Sequence, residues 1–316
     1  MEITTENAVR VLKNILYNVE KVIVGKRDAI ELIINALACM GHVLIEDVPG
    51  VGKTSMASAL AKSLDCSFRR IQFTPDIMPS DVTGFSVYDP KTAEFVFKPG
   101  AVVAQFLLAD EINRTSPKTQ SSLLEAMDER QVTVDGQTYQ MPAPFMVIAT
   151  QNPIEHLGTF ALPEAQLDRF FMKITLGYPQ ANEESRMLGR FQSFNPLKEL
   201  QPIAAAEQIV AVQQLVWNVH VEMSLKDYIV EIVRFTRSQD EVNLGASPRA
   251  SLALFRSAQA RALYLGRDFI TPDDVVAMAP YILSHRLRIR QEAKLKNITP
   301  EGIIERAVET VEKPKL

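Results

Sequence analysis

One short segment constrains the fold of this 316-residue chain more than any other: an apolar run of strand length leads into a glycine-rich loop and then a helical pattern. The apolar run covers residues 43–45, the loop contains Gly50 and Gly52, and apolar residues then recur at helical spacing from Met56 to Leu64. Two glycines let backbone N–H groups converge on a phosphate, and the N-terminus of the following helix adds partial positive charge. The order strand, loop, helix therefore predicts a phosphate-binding loop.

Residues at the start of that helix carry the predicted chemistry. Lys53 is placed to reach the β- and γ-phosphates, and the hydroxyl of Thr54 to ligate magnesium. Asp47 stands where the usual pattern has its first glycine, so the backbone there must adopt a less extreme conformation. The predicted nucleotide-binding residues are Asp47, Val48, Pro49, Gly50, Val51, Gly52, Lys53, Thr54 and Ser55, with Val24 and Gly25 from an earlier loop.

A second apolar run, residues 106–109, ends in two adjacent acids about 60 residues after the phosphate loop. Adjacent strand residues point to opposite faces, but both can address one site where the strand ends and the chain turns. We expect Asp110 to hold the magnesium ion and Glu111 to polarise the attacking water as general base. Asn152, which follows another apolar run, is a candidate to orient that water or to sense the γ-phosphate.

Arginines form the last group of candidate site residues. Phosphoryl transfer builds negative charge on the γ-oxygens, and an arginine supplied by a neighbouring subunit is a common way to stabilise it. Arg169 precedes the last apolar run, and Arg249 lies in the first turn of a predicted helix with Ser247 as its N-cap. Arg114 directly follows the two acids and is the third candidate.

Strand-length runs separated by helical patterns predict a parallel α/β sheet, and the strand signals stop after residue 179. We therefore expect an α/β core over residues 1–180 and an all-helical domain over residues 181–316. Residues 74–105 and 131–144 are longer than simple crossovers, so we interpret them as insertions. The second contains Asp135-Gly136 between alternating segments, which predicts a β-hairpin.

Composition excludes several classes of protein. A net charge of −4 and a pI near 5.7 give no overall attraction to nucleic acid or anionic membranes. No run reaches the roughly 18 apolar residues of a membrane span, so we expect a cytoplasmic protein. Cys39 and Cys66 are expected to be free buried thiols, and the four scattered histidines to be structural or solvated. We interpret the basic residues 285–290 as a solvated helix face or a subunit contact.

Together these segments resemble the MoxR group of AAA+ ATPases, in the helix-2-insert branch. The resemblance spans nearly the whole chain, in a specific order. The matching segments are residues 45–54, 108–114, 117–120, 124–127, 149–153, 162–170 and 247–249.

The resemblance implies a core sheet of strand order 5-1-4-3-2, a helical lid and a ring, usually hexameric, with ATP and Mg²⁺ between subunits. Within it, Arg169 matches the arginine finger, Asn152 the first sensor and Arg249 the second. Residues 74–105 match the helix-2 insert, and the Asp135-Gly136 hairpin matches the insert before the first sensor. Members are thought to act as chaperone-like remodellers of protein clients, often with a partner that bears a von Willebrand factor A domain.

Two alternative functions stay open at this stage. A nucleic-acid motor belongs to the same branch, but the acidic net charge argues against it. A nucleotide-gated assembly scaffold with little turnover could dispense with the general base, whereas this chain has Glu111.

Overall fold

The computed structural model describes residues 3–152, 159–192 and 194–315. Two residues considered above, Pro153 at the end of one matching segment and His156, lie outside them. The strands are β1 (Val43–Glu46), β2 (Phe68–Gln72), β3 (Gly84–Asp89), β4 (Glu94–Pro99), β5 (Phe106–Asp110), β6 (Gln131–Val134), β7 (Gln137–Gln140), β8 (Met146–Gln151), β9 (Met172–Ile174), β10 (Val242–Leu244) and β11 (Arg288–Ile289).

Three of the C-terminal helices begin at a hydroxyl residue followed by proline: Ser247-Pro248, Thr271-Pro272 and Thr299-Pro300. In each pair the hydroxyl residue is the N-cap, and proline fits the first helical position. The helices are α1 (Thr5–Glu20), α2 (Arg27–Ala38), α3 (Lys53–Ser63), α4 (Pro79–Thr83), α5 (Pro117–Glu129), α6 (Glu164–Leu167), α7 (Ala181–Phe191), α8 (Pro196–Glu199), α9 (Ala206–Val216), α10 (Met223–Arg237), α11 (Pro248–Tyr264), α12 (Pro272–Leu283), α13 (Gln291–Lys294) and α14 (Pro300–Thr310). In the part of the chain that the structure describes, no helix is both long and apolar enough to cross a membrane.

Within the described residues, five strands form one sheet of order β2-β5-β8-β1-β9. Every neighbouring pair in it is parallel. Counted along the chain these are the second, third, fourth, first and fifth strands of the sheet, so the expected order 5-1-4-3-2 is confirmed. All carboxyl ends of the strands therefore lie at one edge of the sheet and all amino ends at the other.

The two long insertions each contain an antiparallel hairpin, β3-β4 and β6-β7. Asp135 (φ 50°) and Gly136 (φ 78°) are both left-handed, as a two-residue turn of type I′ requires, so the hairpin predicted there is confirmed. Phe97 of β4 stacks on Tyr139 of β7 with ring centroids 3.9 Å apart. This contact joins the two hairpins.

The sheet is buried on both faces, and the central strands are accordingly apolar throughout. Alternate residues of β5 enter different cores: Phe106 and Leu108 pack with the helices α1, α2 and α3, whereas Leu107 and Ala109 pack against α5. The first core continues without a break into α9 to α12 and α14. The N-terminal helices therefore lie between the sheet and the C-terminal helices: one face of these helices packs on the sheet, and another packs on α9 to α12.

Buried hydrogen bonds accompany the contact between the N-terminal and C-terminal helices. Asn35 of α2 donates to the Ser257 carbonyl of α11 at 3.0 Å, and the Ser257 hydroxyl returns a bond to Asn35 at 2.9 Å. Gln213 of α9 donates to the carbonyl of Leu37 at 2.8 Å. The polar groups of this interface are thus paired, as burial demands.

The interpretation of residues 285–290 as a solvated helix face is wrong. The segment is a short 3₁₀ turn followed by β11, which pairs with β10, because its alternating apolar residues have the period of a strand. Arg286 is only 7% exposed and donates to the Asp168 carboxylate at 2.7 Å and to the Phe170 carbonyl at 2.7 Å. Arg288 forms an ion pair with Glu164. These arginines attach the C-terminal part of the chain to α6 and to the residues between α6 and β9.

The carboxylate of Asp47 joins the phosphate loop to the chain that leaves β9. It accepts hydrogen bonds from the backbone N–H groups of Val48 at 2.8 Å and of Leu176 and Gly177 at 2.6 Å each. A glycine at this position would leave these donors without that acceptor. The departure from the usual loop pattern therefore has a structural role.

His42, just before β1, connects three elements at the amino-terminal edge of the sheet. Its Nδ1 accepts a hydrogen bond from Val147 N–H of β8 at 2.9 Å, so its Nε2 carries the proton and donates to the Met127 carbonyl near the end of α5 at 3.1 Å. Burial lowers the pKa of His42 to about 4, with a further contribution from the nearby charge of Arg130. The ring is therefore neutral in the folded protein at neutral pH.

We expect Asp47→Ala to lower the free energy of unfolding by about 3 kcal/mol, because three backbone donors lose a charged acceptor. Asp47→Asn, which keeps one carbonyl oxygen, should cost about 1 kcal/mol. Urea unfolding followed by circular dichroism measures both, with Asp227→Ala on the exposed face of α10 as the control. Equal stability of Asp47→Ala and the control would contradict the role assigned to this carboxylate.

The neutral state of His42 predicts a pH dependence of stability. As the pH falls from 6.5 towards 4, the unfolded chain takes up a proton at this residue that the folded chain does not, so the wild type loses on the order of 3 kcal/mol. His42→Gln should flatten the curve of unfolding free energy against pH in that interval. The control is His220→Gln, since His220 lies exposed beside Glu222. Parallel curves for the two variants would refute the assignment.

Candidate functional site

The carboxyl edge of the sheet carries an open pocket in which most of the predicted nucleotide residues meet. The glycine-rich loop after β1, the start of α3, the end of β2 and the end of β5 all contribute residues to it. Its lining comprises Pro49, Gly50, Gly52, Lys53, Thr54, Ser55, Arg70, Gln72, Asp110 and Glu111. The predicted phosphate loop and the two predicted hydrolytic acids are therefore brought together.

The backbone of the loop fits phosphate binding. Gly50 and Gly52 have φ of 87° and 91°, a region that other residues rarely adopt, and a Cβ built on either glycine would meet no atom within 4 Å. Helix α3 begins at Lys53 with no acid in its first turn and, among the described residues, no side-chain cap. Its first N–H groups consequently face the pocket side as donors for an anion.

Asp110 and Glu111 reach the same pocket because the chain turns sharply between them. Glu111 is left-handed (φ 56°, ψ 50°), a strained conformation for a non-glycine residue that is enriched at functional sites. Thr150 of β8 stabilises the turn, since its hydroxyl accepts from Glu111 N–H at 2.9 Å and donates to Asp110 at 2.6 Å. The two carboxylates are thus fixed at the end of β5.

Strand β2 supplies two pocket residues that the sequence patterns did not indicate. Arg70 donates to the Asp110 carboxylate at 2.7 Å, and Gln72 donates to the Glu111 carboxylate at 2.8 Å. Arg70 and Gln72 alternate along β2 and so point to the same face of the sheet. This pattern indicates pocket residues only when β2 is known to lie next to β5. Arg114 also lies here, 3.0 Å from Glu111, and so contacts the acid of its own chain.

The donor set of the pocket fits a magnesium ion. Mg²⁺ prefers oxygen ligands, and the hydroxyl of Thr54 and the carboxylate of Asp110 line the same pocket. These two residues would hold the ion, as the sequence predicts. Within the described residues, no cluster of three or more His, Cys, Asp or Glu offers a separate metal site.

Several predicted residues lie outside the lining of this pocket as the described residues define it: Asp47, Val48, Val51, Asn152, Val24 and Gly25. Asn152 is buried just beyond β8. Gly25 (φ 72°) packs so closely against Glu183 of α7 that an added Cβ would collide with its carboxylate. Val24 and Gly25 belong to a loop that also contacts the chain after β9, since Lys26 donates to the Tyr178 carbonyl at 2.9 Å. The same segment after β9 donates to the Asp47 carboxylate through the N–H groups of Leu176 and Gly177.

Arg169 and Arg249 lie together at the opposite edge of the sheet. Both contact the carboxylate of Asp128, near the C-terminal end of α5, at 3.3 and 3.4 Å respectively. Helix α5 starts close to the acid pair, and at 1.5 Å per residue Asp128 lies about 17 Å further along it than Pro117. The arginine pair of one chain therefore does not reach the nucleotide pocket of the same chain.

His285 and the two cysteines lie at buried or half-buried positions in the described structure. His285 is buried and donates through Nε2 to the backbone carbonyl oxygen of Phe170 at 3.1 Å. Burial holds its pKa well below the usual value. Both cysteines are free and half-buried, and burial raises the pKa of Cys66 to about 12. Neither thiol has the low pKa of a nucleophile.

Comparisons with known proteins agree with this geometry. Residues 42–172 match the model of an ATPase family associated with various cellular activities (AAA), and residues 234–307 match the model of an AAA lid domain. The crystal structure of a candidate ATPase from Cytophaga hutchinsonii superposes with a TM-score of 0.92 at 38% identity, covering 98% of this chain and 97% of that chain.

Relatives extend over nearly the whole chain. The uncharacterized protein YeaC of Bacillus subtilis is 52% identical over 94% of this chain and 93% of its own length. The chaperone MoxR1 of Mycobacterium tuberculosis is 42% identical over 98% of this chain and 84% of its own length, and the MoxR protein of Methylorubrum extorquens is 30% identical over 94% and 93%. The chain therefore belongs to the MoxR family of AAA+ ATPases.

Proposed function

We propose that this chain hydrolyses ATP to ADP and phosphate at sites shared between identical subunits of a ring, and uses the cycle to remodel protein clients. The observation that carries the proposal is the separation of two half-sites within one chain. Phosphate loop and acids lie at the carboxyl edge of the sheet, and the arginine pair lies at the amino edge. A second copy of the chain is needed to complete either half.

Within the nucleotide half-site, each residue has a proposed role. Lys53 and the N–H groups of the loop bind the phosphates, Thr54 and Asp110 hold magnesium, and Glu111 accepts a proton from the attacking water. The metal, when bound, neutralises charge that develops on the phosphate oxygens. Gln72 holds the Glu111 side chain in place by its 2.8 Å hydrogen bond. Asn152 is proposed to orient the water, and Val24 and Gly25 to contact the nucleoside.

In the arginine half-site, Arg169 and Arg249 are proposed to bind the γ-phosphate held by the neighbouring subunit. Guanidinium groups suit this role because their charge is permanent and their N–H donors match phosphate oxygens. We further propose a hexamer, with residues 1–180 as the nucleotide-binding core and residues 181–316 as the lid. The matches to an AAA model and to an AAA lid model support this division.

Remodelling of protein clients is supported by a relative that bears the name of a chaperone. A partner with a von Willebrand factor A domain, and the cytoplasm as location, are proposed on the family resemblance alone. The nucleic-acid alternative is less well supported, because its basic segment is engaged within the chain: Arg286 bonds Asp168 and Arg288 bonds Glu164. The scaffold alternative predicts little ATP turnover, so the turnover rate distinguishes it from the proposed function.

We expect ATP turnover per subunit to rise with protein concentration, because completed sites form only on assembly. Glu111→Gln should lower turnover by about 100-fold or more while nucleotide binding persists, since only the general base is removed. Arg169→Ala should lower it by about 1,000-fold, the usual contribution of an arginine finger. Turnover is measured by phosphate release, with binding followed by calorimetry.

Mixing the two inactive variants tests the sharing of sites directly. A Glu111→Gln subunit keeps its arginines and an Arg169→Ala subunit keeps its acids, so mixed rings contain complete sites and should regain activity. Arg234→Ala, on an exposed surface of α10, is the matched control and should behave as wild type. No recovery on mixing, together with turnover independent of concentration, would rule out the shared site. Negligible wild-type turnover at every concentration would favour the scaffold.

A further inference from the structure

Asp128 is the one carboxylate that both arginines of the pair contact in the described structure. Its oxygens lie 3.3 Å from Arg169 Nη1 and 3.4 Å from Arg249 Nη2. The arginines come from distant segments, the loop before β9 and the first turn of α11. Two guanidinium groups that contact one carboxylate repel each other, and the carboxylate between them offsets that repulsion.

The position of this acid is unfavourable for its own helix. Asp128 lies in the last turn of α5, where the helix dipole favours cations, and that turn contains no basic residue. Helix stability therefore does not explain an acid here. The turn itself is firmly held, since the carbonyl of the preceding Met127 accepts the hydrogen bond from buried His42.

A second set of contacts ties the backbones of the two arginines to each other. Asp168, directly before Arg169, accepts a hydrogen bond at 2.9 Å from the hydroxyl of Ser247, the N-cap of the helix that carries Arg249. Buried Arg286 donates to the same carboxylate. Asp168 therefore links the two segments that carry Arg169 and Arg249, next to the side chains that Asp128 contacts.

We propose that Asp128 is a positioning residue that holds Arg169 and Arg249 side by side as one two-armed group for the phosphate of the neighbouring subunit. Each guanidinium carries five N–H donors, so one contact with the carboxylate leaves donors for phosphate oxygens. The group as a whole keeps a charge of +1 and still attracts an anion. This inference rests on the proposed function, because it assumes that the pair acts on a neighbour's nucleotide.

The first test replaces the charge while keeping the shape. Asp128→Asn should lower kcat for ATP by about tenfold, the size of coupling usual for residues that share a partner, with KM and ring assembly within about twofold of wild type. Asp128→Glu, which keeps the charge, should restore most of the rate. Glu125→Gln, one turn earlier on the exposed face of α5, is the matched control. Assembly is followed by sedimentation velocity.

Stability separates positioning from a structural role. Asp128→Asn loses two partly exposed ion pairs but also relieves an acid that opposes the dipole of α5, so its melting temperature should stay within about 3 °C of wild type. A clear drop in the melting temperature together with the loss of kcat would mean that Asp128 maintains the fold, and would overturn the proposal. So would a wild-type kcat for Asp128→Asn.

A double-mutant cycle with Arg249→Ala isolates the pairing itself. Once Arg249 is removed there is no second charge for Asp128 to hold, so adding Asp128→Asn should change kcat by less than about twofold. If the effects of Asp128→Asn and Arg249→Ala on kcat multiply in the double variant, the pairing is refuted, although the proposal of a shared site still stands. If Arg169→Ala and Arg249→Ala both leave turnover unchanged, the proposed function itself fails, and this outcome is distinct from the others.

Discussion

The direction of the parallel strands is the constraint on which the rest of this molecule depends. Parallel pairing puts every carboxyl end at one edge of the sheet, so the phosphate loop after β1 and the acids after β5 meet in one pocket. It equally sends Arg169, just before β9, to the other edge. The same strand pairing that assembles the proposed nucleotide half-site therefore keeps the arginine pair about a helix length away. In the proposed function, a second copy of the chain uses that pair.

Charged side chains at both edges are balanced by specific opposite partners. At the carboxyl edge Arg70 bonds Asp110, and at the amino edge Asp128 faces two arginines. Among the described residues, the guanidinium of Arg286 is the one that is nearly buried, and it has a carboxylate and several backbone carbonyls around it, as a charge removed from water requires. These pairs contribute less to overall stability than the apolar cores do, but they determine where each functional side chain points.

Features set by neighbouring residues were predictable from the sequence, and features set by distant ones were not. The glycine-rich loop and the hairpin at Asp135-Gly136 have the predicted local geometry. The strand order, which joins distant segments, came only from the family resemblance. The function of Asp47 as an acceptor for Leu176 and Gly177, and the entry of Gln72 into the pocket, depend on chain segments tens to more than a hundred positions away. The helical prediction for residues 285–290 is wrong, because arginine and apolar residues alternate there with the period of a strand.

The core shared by the first and last helices has a consequence for synthesis of the chain. Helix α2 ends at Ala38, whereas α11, which covers one of its faces and pairs with Asn35, begins about 210 residues later. At the usual 5–20 residues per second, roughly 10–40 s pass on the ribosome before that cover emerges. During this interval the apolar faces of the leading helices must remain partly solvated or be shielded by another protein, so a member of a chaperone-like family would itself be a candidate for assistance during its own folding.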